Sequence, residues 1–194
     1  MDLVTKAIKF ASDAHDGQRR KSGNVPYIMH PLEAAVIVST MTDDQELIAA
    51  ALLHDVVEDA GITSEQVEQG FGHRVAALVA SETEDKREEL PPSATWRIRK
   101  EESLDVLRKA TDEAVLMVWL GDKLANIRAI YREWLTAGSS IWQKFNQKDE
   151  GEQEWYYRSI AKLTSSLSDH PAWQEYDRLT REIFGKEDDG CGND

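Results

Sequence analysis

The chain reads as an all-α protein folded as one domain. Apolar residues recur at helical spacing through nearly all of its 194 residues, and no stretch alternates as a half-buried strand would. Most glycines and prolines fall between the periodic runs. The length suffices for one substantial core, expected over residues 1–185.

In "LVTKAIKFASDAH", Leu3, Ala7, Phe10, Ala11 and Ala14 form one stripe and predict the first helix. "GQRRKSGNVPYIMHP" interrupts it with two glycines and two prolines, so residues 17–31 are expected to form a loop. Pro31 opens the next helix, where a missing N–H is no loss, and "LEAAVIVSTM" continues it. "TDDQELIAAALLHDVVEDA" predicts a third helix, with Thr42 or Asp43 as N-cap and Gly61 as its end. Thr63 precedes Gln66 by three residues, a capping-box pattern, and "HRVAALVASET" follows. Residues 82–102 are charged, contain Pro91-Pro92, and read as a mobile loop or lid. "TDEAVLMVWLGDKLANIRAIYREWL" is the strongest helix, and residues 152–168 and 171–184 predict two more. The acidic tail 186–194 is expected to be disordered.

There are 36 acidic and 23 basic residues, a formal net charge of −13. That argues against nucleic acid or an anionic membrane as partner, and a polyanionic small molecule would need a locally basic pocket. "LIAAALL" and "AVLMVWL" are too short to span a bilayer, and "MDLVTKAIKF" does not resemble a signal peptide. The one cysteine, Cys191, lies in the tail and excludes an intrachain disulfide. A cytoplasmic setting is expected. Oligomeric state is not legible.

The stretch "LLHDVVEDA" sets four ionisable groups among apolar ones. On a continuous helix His54 lies under Glu58 and Asp55 under Asp59, giving two adjacent polar columns. An imidazole and a carboxylate side by side can hold one divalent cation, and the next column outward offers a base for a water. A solvated helix edge would fit "HD" alone equally well. His30 before Pro31, and Asp122 inside an apolar helix marked by Leu116, Leu120, Leu124 and Ile127, shift that balance. A carboxylate there needs a partner, and an ion is one candidate. Arg19, Arg20 and Lys21 supply a basic loop without an acid, and Asn126 shares a helix face with Asp122. Lys123 and Arg128 read as surface residues. His15 reads as a structural, hydrogen-bonded histidine, His73 and His170 as surface or capping residues, and most of the six tryptophans as core.

"AHDGQRRKSG", "PYIMHP", "AALLHDVVED", "FGHRVAALV" and "LGDKLANIR" resemble, in order and spacing, the HD-domain phosphohydrolases. They are most similar to the guanosine tetraphosphate hydrolase domain of the Rel/SpoT family and its stand-alone small alarmone hydrolases. The resemblance implies a helical bundle around a single Mn²⁺ held by His30, His54, Asp55 and Asp122. It implies that Glu58 and Asp59 activate the water and that Arg20, Lys21, Asn126 and Tyr156 contact the nucleotide. The implied reaction takes guanosine 3′,5′-bis(diphosphate) to GDP, or its pentaphosphate form to GTP, with release of pyrophosphate. Two departures concern how the base is held: "SGNVPY" is one residue longer than the usual loop, and Ala125 replaces a larger residue. The rival readings are an HD hydrolase of another nucleotide (a deoxynucleoside monophosphate or the 2′-phosphate of NADPH) and a non-catalytic nucleotide sensor.

Overall fold

The computed structural model describes residues 1–20, 24–87 and 89–185. Lys21 and the tail 186–194 lie outside the described residues. The elements run α1 (Leu3–Ala14), α2 (Met29–Ser39), α3 (Gln45–Leu53), α4 (Val56–Asp59), α5 (Ser64–Phe71), α6 (His73–Glu82), α7 (Pro92–Lys109), α8 (Glu113–Ala137), α9 (Glu150–Leu163) and α10 (Pro171–Phe184). Among the described residues there is no strand; Arg19 and Pro26 form one isolated β-bridge across the first loop. No described helix is long and apolar enough to cross a membrane.

Side-chain caps set several helix starts. Asp2, Asp44, Thr63, Asp112 and Asp149 each accept from a backbone N–H of the first turn, and Thr63 with Gln66 completes the capping box. The N-cap of α3 is therefore Asp44, not Thr42 or Asp43. α2 begins at Met29, so Pro31 sits within its first turn, where no N–H is required.

Two expectations need correction. The third helix does not run on to Gly61: it stops at Leu53, and α4 restarts at Val56. Asp55 takes φ −96° and ψ −5°, the sparsely allowed region between the main basins. Residues 82–102 are not a loop throughout, because α7 begins at Pro92. Pro91 is extended and Pro92 occupies the first turn, so the pair starts a helix. The helical pattern is hidden because the buried face of α7 carries Thr95, Arg99 and Ser103, a polar column at four-residue spacing, beside Trp96, Leu104 and Leu107.

The core has two parts that share a wall. Trp96, Leu120, Leu124, Trp142, Ile160 and Tyr176 belong to one cluster; Ala7, Leu52, Leu53, Val67, Val75 and Val118 belong to the other. α2 contributes to both, through Ala34 and Ile37 on one side and Ala35 and Val38 on the other, and so does α8. These two helices approach closely at Gly121. A Cβ there would stand 2.6 Å from Val38 Cγ2 and 3.0 Å from the Ala34 carbonyl oxygen. Glycine lets the α8 backbone lie against α2 one residue before Asp122. Of the six tryptophans, Trp96, Trp119 and Trp142 are buried, and Trp134, Trp155 and Trp173 pack against the first cluster.

Candidate metal centre

The close pairing of α2 and α8 brings His30 to Asp122, and the break after α3 turns His54 and Asp55 toward the same point. His30 Nε2 lies 2.9 Å from Asp122 Oδ1 and 3.5 Å from Asp55 Oδ2. His54 Nε2 lies 3.0 Å from Asp55 Oδ2 and 3.5 Å from Asp122 Oδ1. The two imidazole nitrogens are 3.2 Å apart. One ligand atom from each of His30, His54 and Asp122 fits within 4.8 Å, and all three residues are buried.

The donor set suits a divalent cation. His54 Nδ1 lies 2.8 Å from the Ala51 carbonyl oxygen, a bond that requires the proton on Nδ1 and leaves the inward Nε2 with its lone pair. Two imidazoles and two carboxylates are a hard-to-borderline set with no thiolate, as Mn²⁺, Fe²⁺ or Zn²⁺ sites use. Burial lowers the proton affinity of His30, as a ligand nitrogen requires. Burial acts in the same direction on His54, but the Asp55 and Asp122 carboxylates outweigh it and hold that ring well above its ordinary value. Burial also works against ionising Asp55 and Asp122. The facing His54 ring for Asp55, and the Lys123 ammonium for Asp122, outweigh it and keep both carboxyls low. The cluster holds two ionised acids that attract positive charge, which a cation would supply.

Around this core sits a hydrogen-bonded shell. The Tyr27 hydroxyl lies 2.7 Å from Asp55 Oδ2 and 2.9 Å from Asp59 Oδ2, linking a candidate ligand to a candidate base. Asn126 Nδ2 donates to Asp122 Oδ1 at 2.7 Å, and its Oδ1 accepts from Arg20 at 3.1 Å. Gln18 donates to the Asp59 carbonyl and its Oε1 meets His15 Nδ1, so His15 is indeed a buried, hydrogen-bonded histidine.

Glu58 and Asp59 stand beyond the ligands, on α4. Burial, then the charge of Asp55, pushes the Glu58 carboxyl above its ordinary value. Residues of the segment after α6 reach both acids. The Glu84 N–H donates to Glu58 Oε2 at 3.3 Å, and Lys86 Nζ donates to the Glu58 carbonyl at 2.8 Å and pairs with Asp59. Neither Tyr27 nor Lys86 stood out in the sequence. Tyr27 had a signal, its place three residues before His30; Lys86 had none, because its partners lie 27 and 28 residues away in sequence.

A cavity of about 420 Å³ opens beside the cluster, lined by Arg19, Arg20, Tyr27, Asp59, Asn126 and Tyr157 among others. Tyr156, the tyrosine named from the resemblance, is not among the residues lining this cavity. It packs on Trp96, and its hydroxyl is buried without a hydrogen-bond partner among the described residues. The cavity tyrosine is its neighbour, because successive helix positions face about 100° apart. Ala125 is buried in the core and is not among the residues lining the cavity. Lys123 and Arg128 are not free surface residues. Lys123 lies inside against Asp122 and Glu82, and Arg128 pairs with Glu175.

The family profile of the HD domain matches residues 7–151, which contain the whole cluster. This chain belongs to the HD-domain family. HD domains bind divalent metal, and His30, His54 and Asp122 form a candidate site in this one. Among curated relatives, the HD chain is 36% identical over 128 residues to guanosine-3′,5′-bis(diphosphate) 3′-pyrophosphohydrolase of Aquifex aeolicus (strain VF5), covering 66% of this chain and 18% of that one. It is 41% identical over 129 residues to a probable enzyme of the same name from Synechocystis sp. (strain ATCC 27184 / PCC 6803 / Kazusa), covering 66% and 17%. The HD chain thus spans less than a fifth of the length of these relatives. Among solved structures, matches extend over most of the chain. The lmo0812 protein of Listeria monocytogenes EGD-e has a TM-score of 0.70 at 31% identity, covering 81% of this chain and 99% of that one. A metazoan ortholog of SpoT, described as hydrolysing ppGpp, has a TM-score of 0.71 at 25% identity, covering 96% and 98%.

Proposed function

We propose that the protein is a Mn²⁺-dependent hydrolase of guanosine 3′,5′-bis(diphosphate) and its pentaphosphate form, releasing pyrophosphate and leaving GDP or GTP. The observation that carries this reading is the convergence of His30, His54, Asp55 and Asp122 beside a cavity lined by Arg19 and Arg20 in a chain of net charge −13. Its likeness to the metazoan SpoT ortholog over most of both chains supports it. Residues 1–185 act as one hydrolase domain, in the cytoplasm, on a small nucleotide and not on nucleic acid.

A divalent cation held by His30, His54, Asp55 and Asp122 supplies Lewis acidity and offsets phosphoryl charge. Glu58, with its raised proton affinity, accepts a proton from the attacking water, and Asp59 orients that water with the Tyr27 hydroxyl. The water oxygen bonds to the phosphorus carried by the ribose 3′ oxygen. The bond from phosphorus to that oxygen breaks, and a proton returned to it restores the 3′-hydroxyl. Arg20, tethered by Asn126, and Lys21 neutralise the departing pyrophosphate. Tyr157 and Asn126 face the nucleoside, and the buried Tyr156 supports that wall from behind.

The test is incubation of the protein with Mn²⁺ and guanosine 3′,5′-bis(diphosphate), followed by separation of products. Equimolar GDP and pyrophosphate are expected. Orthophosphate as the sole phosphorus product, or tight binding without turnover, would overturn the reading.

A further inference from the structure

The Asp122 carboxylate has two different faces. Oδ1 meets His30 and His54 and accepts from Asn126, whereas Oδ2 accepts from Lys123 Nζ, the ammonium of the next residue along α8. That ammonium also lies 3.5 Å from Glu82 Oε2, at the C-terminal end of α6. It stands 4.8 Å from the centroid of the Trp119 ring, which fixes its stem. Glu82 is deeply buried, its side chain only 2% exposed, and its Oε1 has no hydrogen-bond partner among the described residues. Two buried carboxylates from different helices therefore bracket one buried ammonium, on the side of Asp122 turned away from the histidines.

We infer that the Lys123 ammonium holds the place of a second divalent cation, limiting this centre to one metal ion. The inference rests on the reading of His30, His54, Asp55 and Asp122 as a cation site. A carboxylate that offers one oxygen to a first cation and its other oxygen to buried space commonly bridges to a second, about 3.5–4 Å away, in two-metal hydrolases. Here that second oxygen is taken by an ammonium that is covalently tethered and cannot dissociate. Asp55 and Asp122 would offset the charge of one dication. Without Lys123, the second Asp122 oxygen and both Glu82 oxygens would share a buried space that a proton or a cation must fill, and three oxygens from two carboxylates offer a divalent ion a ready set of donors. Lys123 is thus a positioning residue, and Glu82 is the reason its position can be read as a cation site.

The experiment loads the full chain with Mn²⁺, removes excess ion, counts Mn per chain by atomic emission, and records electron paramagnetic resonance to detect magnetic coupling between neighbouring ions. Wild type is expected to hold one uncoupled ion. Lys123→Met keeps the stem over Trp119 and removes the charge; it is expected to hold two coupled ions. Lys123→Arg should return to one, and so should Lys123→Met combined with Glu82→Leu. Circular dichroism checks that each variant is folded, and Lys123→Gln replaces Lys123→Met if the latter is not. Two ions in wild type, one ion in a folded Lys123→Met or Lys123→Gln, or a second ion that survives loss of Glu82, would each overturn the inference. One ion throughout leaves the cation site itself standing, whereas no ion in wild type removes both.

Discussion

His30 Nε2 and His54 Nε2, both buried, face each other across 3.2 Å, with a carboxylate oxygen about as close to each. Two ring nitrogens at that separation need a proton or a cation between them. A cation held there would tie α2, the end of α3 and α8 together.

Chelation should destabilise the fold as well as stop turnover. A ligand at a hundredfold excess over its dissociation constant contributes about 2.7 kcal/mol, which for a chain of this size corresponds to about 5–10 °C in Tm. Calorimetry with Mn²⁺ and with EDTA measures the difference. His54→Ala and Asp122→Ala should show the lower Tm with or without metal, and no activity. An unchanged midpoint on chelation would remove the ion from its structural role.

Glu58→Gln should keep the ion and lose about 10²–10⁴-fold in kcat, the usual contribution of a general base. Metal content and turnover measured on the same sample check both halves. Loss of the ion instead would make Glu58 a ligand.

Arg20→Ala with Lys21→Ala should raise KM for a substrate bearing a 3′-diphosphate at least about tenfold, since two charge-assisted hydrogen bonds contribute about 1.5–3 kcal/mol each. A monophosphate ester, held at the cation, should be little affected. The comparison is run at low and high salt, where the difference should shrink. Equal effects on both substrates would assign the loop to scaffolding around His30.

Glu84 gives the fold a defined acid sensitivity. Burial disfavours its charge, but the Lys100 ammonium at 2.7 Å, then the Lys123 ammonium and the Ser103 hydroxyl at 2.9 Å, outweigh burial and lower its affinity for a proton. A lowered carboxyl stabilises the fold above the unfolded-state value, about 4.3, and that contribution fades as pH falls through the lower folded value. Glu84→Gln should thus cost about 2 kcal/mol at pH 7, with the gap to wild type closing below about pH 4. Urea midpoints at both pH values decide; a constant gap would mean that charge is not the cause.

Gly121→Ala should separate α2 from α8. The added Cβ meets Val38 Cγ2 at 2.6 Å and the Ala34 carbonyl at 3.0 Å, so a helix must shift, at a cost of about 1–3 kcal/mol. Because α2 carries His30 and α8 carries Asp122, Mn²⁺ affinity should fall with stability. Urea unfolding and metal titration test the two together; lost stability with unchanged affinity would show that the shift is absorbed elsewhere.

The sequence by itself determined the all-α class and most helix positions through apolar periodicity, and it singled out His30, His54, Asp55 and Asp122 as candidates through their motif spacing and resemblance. It also marked Glu58, Asp59, Arg20 and Asn126, each within a few residues of a member of that set. Tertiary structure decided what depended on partners far along the chain. α7 was hidden because its buried face answers Glu84 and so is polar. The column geometry expected on an unbroken helix gave way to a break at His54–Asp55 that turns both side chains inward. Lys123 looked like a surface lysine until α6 brought Glu82 to it across 41 residues. The physical reason is common to all three. Periodicity reports whether a position avoids water, whereas the neutralising of a buried charge depends on which distant group arrives beside it, and only the packed helices specify that.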